Sequence, residues 1–329
     1  MPAAASFSLL PATLADAAFA ADVYTDEWPD EPSDPILLRH EWNAPDQGPR
    51  SRHRIERAGR RIGYLETQHD AWELVEERYA LIIAGFFRAD FDPDLLAEVL
   101  SGAEADLIAA GTQFLTTRTR PFEEARAATL AGLGYRQDRE DRWSELRLPE
   151  SAGSLIAMAE ASRRHCAGAG FSLRTLADVD PDRAFLTRLA EMSAEAELDV
   201  PSTVPIVPES VEAFLAELDS PAAHRDRVWV ALKAGEPVGM SLLAYPPVRG
   251  NVWTSWTCTA RSARGQGLAR GLKVETLLQA LELGVERVRT SNDEANAAIL
   301  HLNQQLGYQP VPGLRLWVKP VPYRDRNGI

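Results

Sequence analysis

Apolar and polar positions along the chain follow two rhythms, and both recur in the same order twice. In the first half, HRIERAGRRIGYLET alternates with period two on either side of Ala58-Gly59, which predicts two antiparallel strands joined by a tight hairpin. In the second half, RVWVALKAGEPVGMSLLAY does the same around Ala234-Gly235. A further strand follows in each (YALIIAGFF; NVWTSWTCT), and then a helix (PDLLAEVLSGAEADLIAAG; GLARGLKVETLLQALELG). Both helices stop at a glycine, Gly111 and Gly284, as a left-handed C-cap requires. Each half then has a short strand (QFLTTR; RVRTSN), a helix ending in LGY and a last strand. Each opens with a strand, FSL, followed by helical stretches, DAAFAADVYTDEW and DRAFLTRLAEMSAE. Antiparallel hairpins mixed with helices predict an α+β fold: a mixed, mostly antiparallel sheet flanked by helices, present twice.

The repetition also shows at the level of residues. FSLLPATLAD at residue 7 resembles FSLRTLADVD at residue 171, AGRRIGY at 58 resembles AGEPVGM at 234, and LGYRQ at 133 resembles LGYQP at 306. The offsets are 164, 176 and 173, so the matches keep their order and drift little. This predicts a tandem duplication, with one domain over 1–150, a helical linker over 151–165 and a second domain over 166–329. A length of 329 residues suits two domains, each able to bury its own core.

Composition narrows the function classes. The chain is 45% hydrophobic and 25% charged, ordinary for a globular protein, and carries a net charge of −13. Nucleic acid and anionic membranes both need a basic face, so neither is an expected partner. Cys166 and Cys258 lie far apart, and no CxxC or HExxH spacing occurs, so no metal site or disulfide framework is expected. Cys258 sits in a strand-like run and is expected to be a buried, inert thiol. The first twenty residues faintly mimic a signal peptide, but they lack Lys and Arg, and Asp16 interrupts the apolar run. A cytoplasmic protein is expected.

The candidate chemistry lies in ARSARGQGLARGLKVETL, residues 260–277, where a strand turns into a helix. Glycines at such a junction allow positive φ and close approach of a ligand to the backbone. The first helical turn leaves N–H groups unpaired at the positive end of the helix dipole, a site suited to a phosphate or pyrophosphate. At an offset of 176 the first half has RADFD in place of RGQGL. There Asp90 and Asp92 are expected to cap the helix, with Pro93 near its first position, and their charge would repel an anion. The second half is therefore the expected anion site. Gly265, Gly267 and Gly271 also spell GxGxxxG, but the antiparallel hairpins upstream argue against a dinucleotide-binding βαβ unit.

At these residues the chain resembles the GNAT (Gcn5-related) acyl-CoA-dependent N-acetyltransferases, specifically the members with two GNAT-like domains in tandem. The family signature Gln/Arg-x-x-Gly-x-Gly/Ala is met by Arg264, Gly265, Gln266, Gly267, Leu268 and Ala269. Thr257-Cys258-Thr259 precedes it, where the family has a strand that pairs with the pantetheine arm. Asn292, Asn296, Asn303 and the Leu306-Gly307-Tyr308 ending look like the family's next helix. The resemblance implies acetyl-CoA as co-substrate, its pyrophosphate on the backbone from Gly265 to Arg270 and its pantetheine along Cys258 and Thr259, with Asn296 and Asn303 nearby. It implies direct attack of a small-molecule amine on the thioester, in a monomer or homodimer.

The sequence departs from the family where the chemistry is. Asn303 stands where many members have a Tyr that protonates the leaving thiolate, and an amide is no general acid. His301, two residues away, points elsewhere on a helix. Glu195, Glu197 and Asp199, near the end of an early helix, are candidates for the base or for binding a cationic acceptor. The first half has Thr119, Glu123 and Leu130 in place of the three asparagines, so it is expected to be degenerate and structural. A non-catalytic acyl-CoA sensor is the alternative function.

Overall fold

Both Ala-Gly pairs make the tight turn that the alternation asks for. Ala58 and Gly59 have φ of 50° and 75°, and Ala234 and Gly235 have 51° and 87°. Two successive left-handed residues match the twist of the flanking strands, so each hairpin closes without splaying. The computed structural model describes residues 7–44, 49–69 and 72–322. Its first half runs β1 (Ser8–Pro11), α1 (Ala17–Glu27), α2 (Pro35–Asn43), β2 (Arg50–Arg57), β3 (Arg60–Gln68), β4 (Tyr79–Phe86), α3 (Pro93–Ala110), β5 (Phe114–Thr119), α4 (Glu124–Gly132) and β6 (Arg136–Arg147). Helix α5 (Leu148–Gly168) leads into the second half. There follow β7 (Phe171–Thr175), α6 (Leu176–Val179), α7 (Arg183–Glu197), α8 (Val211–Leu218), β8 (Trp229–Lys233), β9 (Glu236–Ala244), β10 (Val252–Thr259), α9 (Leu268–Glu282), β11 (Arg287–Asp293), α10 (Ala297–Leu306) and β12 (Gln309–Pro320). Of the signal-like run, residues 1–6 lie outside the described residues, and the rest forms β1 and the start of α1, where Ala17 and Ala20 are buried.

The twelve strands among the described residues form one sheet, in the order β1-β2-β3-β4-β5-β12-β6-β11-β10-β9-β8-β7. The two halves exchange their last strands. β12 ends the second half but lies antiparallel to β5 of the first, with Arg315 opposite Thr119. β6 ends the first half but lies antiparallel to β11 of the second, with Asn292 opposite Arg142. The exchanged strands pair with each other at the centre, with a bulge between Val311 and Leu314. Gly313 sits in that bulge, where a Cβ would lie 1.9 Å from the Asp141 carbonyl oxygen, so only glycine fits. Arg120 is fully buried beside the crossing. Its guanidinium lies 3.9 Å from the Trp143 ring centroid, and it donates to the Pro312 carbonyl at 3.0 Å.

Helices cover both faces. Leu95, Leu96, Val99, Leu100 and Leu107 of α3 recur at helical spacing and pack with Ile62, Ile82 and Leu115. In the second half α7 and α8 pack around Met240, Leu242 and Cys258, while α5 and α9 cover Leu243 and Val288. α5 is therefore part of the core: Leu155 and Ala159 are buried, and Arg163 pairs with the buried Glu275 of α9 at 2.6 Å.

Gly313→Ala should destabilise the chain by about 3 kcal/mol through overpacking at the central strand pair. A urea melt with an unchanged midpoint would show that the pair relaxes freely.

Candidate active site

The parallel strands of each half separate as they run. β10 pairs with β11 only at Val252 and Trp253, and β4 pairs with β5 only from Tyr79 to Leu81. Beyond those residues one edge of β4 and of β10 has no strand neighbour among the described residues. A β-bulge at Ser255, between Thr254 and Trp256 in the β9 register, bends β10 where it leaves β11. Two equivalent openings result, and the side chains decide what each can hold.

In the first half the opening is filled. Arg126 of α4, 7% exposed, donates to the Ala84 carbonyl of β4 at 2.7 Å and pairs with both Glu27 and Glu123. Its guanidinium also lies over the Phe91 ring. At the helix junction Arg60 and Asp90 form an ion pair. Of the two expected caps only Asp92 acts as one, accepting from the Asp94 N–H at 3.0 Å, with Pro93 as the first helical residue. Asp90 instead ends a short 3-10 turn, Arg88–Asp90. Its counterpart in the second half is the 3-10 turn Arg261–Ala263, so the ungapped offset of 176 does not hold across this loop. Two residues (Phe91 and Asp92) separate turn from helix in the first half, and four (Arg264 to Gly267) do so in the second. The longer loop contains the glycines.

In the second half the opening is unplugged. Gly265 and Gly267 have φ of 74° and 73°, and Gly267 is the N-cap of α9. The Gly271 N–H bonds to the Gly267 carbonyl at 3.1 Å, so the N–H groups of Leu268, Ala269 and Arg270 precede the first intrahelical bond. Gln266 is braced from behind by His165 of α5, 3.2 Å from its carbonyl. Arg264 donates to Asp199 at 2.6 Å, as Arg261 does at 2.7 Å, and Arg270 bonds Gln305. Those two arginines hold the Asp199 carboxyl down at about 2, which makes it a poor proton acceptor at neutral pH. Glu195 meets Arg261 at 3.3 Å, and Glu197 accepts the Glu209 N–H at 3.0 Å.

Behind this loop lies a cleft of about 790 Å³ shared by the two halves. β10 lines it from Thr254 to Thr259, with Cys258 buried and its thiol pushed up to about 12 by burial, an unreactive group. Asn292 and Asn296 line it too. Asn296 caps α10, accepting weakly from the Ile299 N–H at 3.4 Å. Asn303, 3% exposed, donates to the Asn292 side chain at 2.7 Å, and its own Oδ1 has no partner among the described residues. His301 is exposed and bonds Gln305 at 2.7 Å. Trp256 faces the cleft, whereas Trp253 packs on Trp143 and donates to Glu31 at 2.6 Å.

Three contributors were not picked out by sequence reasoning. Arg139 of β6 reaches Asp293 at 2.5 Å and the Pro201 carbonyl at 3.0 Å, fixing the loop after α7. Asp141 of β6 lines the cleft with its carboxyl raised by burial, Asp293 adding to the shift and Arg118 and Arg139 opposing it. Both arrive by strand exchange, for which the sequence carries no local signal. Lys273 is 1% exposed, and among the described residues its Nζ has no hydrogen-bond or ion-pair partner. Burial alone brings its ammonium down to about 7. This one was readable: Ala269, Leu277 and Ala280 share its helix face and are otherwise apolar.

Residues 192–308 match the model of the acetyltransferase (GNAT) family. No curated protein matches the chain in sequence. Among solved structures it is similar to a tandem GNAT protein from the clavulanic acid biosynthesis pathway, with a TM-score of 0.71 and 16% identity over 97% of this chain and 100% of that one. It is also similar to a GCN5-related N-acetyltransferase from Sphaerobacter thermophilus, with a TM-score of 0.68 and 18% identity over 97% and 98%. Residues 192–308 are thus similar to the GNAT acetyltransferases, and the two halves together share the fold of that tandem GNAT protein. Among the described residues no helix is long and apolar enough to cross a membrane, and no cluster of three or more His, Cys, Asp or Glu could hold a metal.

Because Lys273 titrates near 7 when folded and near 10.5 when unfolded, stability rises with pH between those values and is lowest below them. Lys273→Met should raise the melting temperature, by an amount that shrinks as pH climbs from 7 towards 10. A gain that is constant across this window would contradict the shift.

Proposed function

We propose that the chain is an acyl-CoA-dependent N-acyltransferase, with acetyl-CoA as donor, a small-molecule amine as acceptor and one working site per chain. The observation that carries this is the contrast between the openings: the first is closed by Arg126 and Asp90, the second is open and ends on two left-handed glycines. The pyrophosphate fits the backbone from Gly265 to Arg270, with Arg264 exchanging Asp199 for phosphate oxygen. The pantetheine fits along Thr257 to Thr259 as a substitute for the missing strand, with Asn296 on the other side and Asn303, which does not line the cleft, holding Asn292 from behind. A neutral amine attacks the thioester carbon, a β10 N–H near the Ser255 bulge steadies the oxyanion, and the thiolate leaves. The first half supplies a wall and no second site.

Asp199 serves better as a clamp on the loop than as a base, because its carboxyl is held so low. Asp141 is the assigned acceptor of the amine proton. It lines the cleft, it is raised by burial, and among the described residues its carboxylate makes no hydrogen bond.

Calorimetry with acetyl-CoA should give one molecule per chain, and Gly267→Asp should weaken binding on the order of 100-fold through backbone strain and like charge. Equal affinity in both proteins would place the site elsewhere, and two molecules per chain would give the first half a site. An amine panel scored by thiol release tests turnover; binding without release from any amine would make the chain a sensor. With an accepted amine, Asp141→Asn should lower kcat at least about tenfold at unchanged acetyl-CoA affinity. An unaltered kcat would remove Asp141 from the proton path.

A further inference from the structure

Asn303 leaves the leaving group without an acid from α10, and the structure offers one from α9 instead. We propose that Lys273 meets the CoA sulfur and protonates it as it departs. This rests on the acyl-CoA reading of the cleft.

Lys273 stands one helical turn beyond Ala269, and both line the cleft, so its side chain lies on the α9 face that continues inward from the glycine loop. The same cleft wall carries Thr254 of β10, Thr290 and Asn292 of β11 and Leu302 of α10, and burial is the whole cause of the Lys273 shift, with no charged group adding to it or opposing it. Among the described residues the titratable group in contact with it is Tyr308. That ring centroid lies 5.5 Å from Nζ, and its phenol is kept protonated by burial and sits 3.4 Å from the Thr254 hydroxyl. Glu275, two residues along the same helix, is occupied by Arg163. A buried lysine without a partner is costly and is ordinarily replaced by an apolar residue. Here Tyr308 links it to Thr254, next to the bulge where β10 parts from β11, the place a thioester would occupy.

The chemistry balances. The amine nitrogen forms a bond to the carbonyl carbon, the C–S bond breaks, and its electron pair stays on sulfur. A proton moves from Nζ to sulfur, releasing CoA as the thiol and leaving a neutral lysine that solvent reprotonates. Burial favours the transfer, because an ammonium brought down to about 7 gives its proton readily to a thiolate whose acid titrates at about 8.5.

The test compares CoA with desulfo-CoA by calorimetry, which needs no acceptor. Wild type should bind CoA about tenfold more tightly, since a sulfur–Nζ hydrogen bond is present in either protonation state of the pair. Lys273→Met should bind both equally, while acetyl-CoA affinity changes less than about threefold. With an accepted amine, the variant should lose at least about tenfold in kcat together with the alkaline limb of the kcat–pH profile. Equal affinities in the wild type would overturn the role of Lys273 without recourse to any variant. So would a variant that keeps both the preference for CoA and the pH profile. If neither CoA nor acetyl-CoA binds at all, the cleft itself is misread and this role falls with it.

Discussion

The central pairing of β6 with β12 is the contact on which the rest depends. Each strand closes the sheet of the half it does not belong to in sequence, so neither half has a complete sheet without the other. The cleft is a product of this exchange. β6 brings Arg139 and Asp141 to the second half, where Arg139 ties down the loop after α7 and Asp141 faces the open end of β10. The crossing is tight enough to demand Gly313, and it is flanked by Arg120, an arginine with no exposure held between aromatic rings. Burying that cation is tolerable because its faces meet Trp28 and Trp143 and one nitrogen finds the Pro312 carbonyl.

The two openings solve one physical problem in opposite ways. A strand edge that leaves its neighbour exposes backbone groups that need partners. In the first half Arg126 meets the Ala84 carbonyl permanently, and two glutamates neutralise its charge. In the second half Ile299 occupies the position equivalent to Arg126, and an aliphatic side chain cannot do the same. That edge stays available to an extended ligand with its own amide groups, such as a pantetheine arm. The loop follows the same logic: Asp92 caps α3 internally, whereas Gly267 leaves the start of α9 uncapped.

Much of this was legible in the sequence, because it depends on local rules. The hairpins at Ala58-Gly59 and Ala234-Gly235, the glycine at the end of α3, the Asp92 cap and the buried Cys258 all follow from turn chemistry, capping and periodicity. The left-handed glycines of RGQGL were expected from the same reasoning. The ungapped alignment of RADFD with RGQGL failed because two inserted residues leave no trace in so short a loop. The strand exchange was invisible for a different reason. β6 and β12 are both twelve-residue strands at the same place in their halves, and no local rule says which neighbouring edge each joins. Everything β6 carries to the cleft was hidden with it. Lys273 was hidden only by expectation, since a charged residue on an apolar helix face is a visible anomaly.

The exchange also sets an order in time. When synthesis has reached the end of β6, the first half has every helix it will have, yet the outer edge of β5 is still bare. Its partner, β12, begins at Gln309, about 160 residues after β6 ends. Until then the nascent chain carries an unprotected strand edge, the feature by which unfinished sheets recruit one another. Arg118, projecting from β5, is a charge of the kind that discourages such pairing. The first half of the sheet is therefore fastened by a strand made long after it, and its bare edge has to be kept from other partners in the interval.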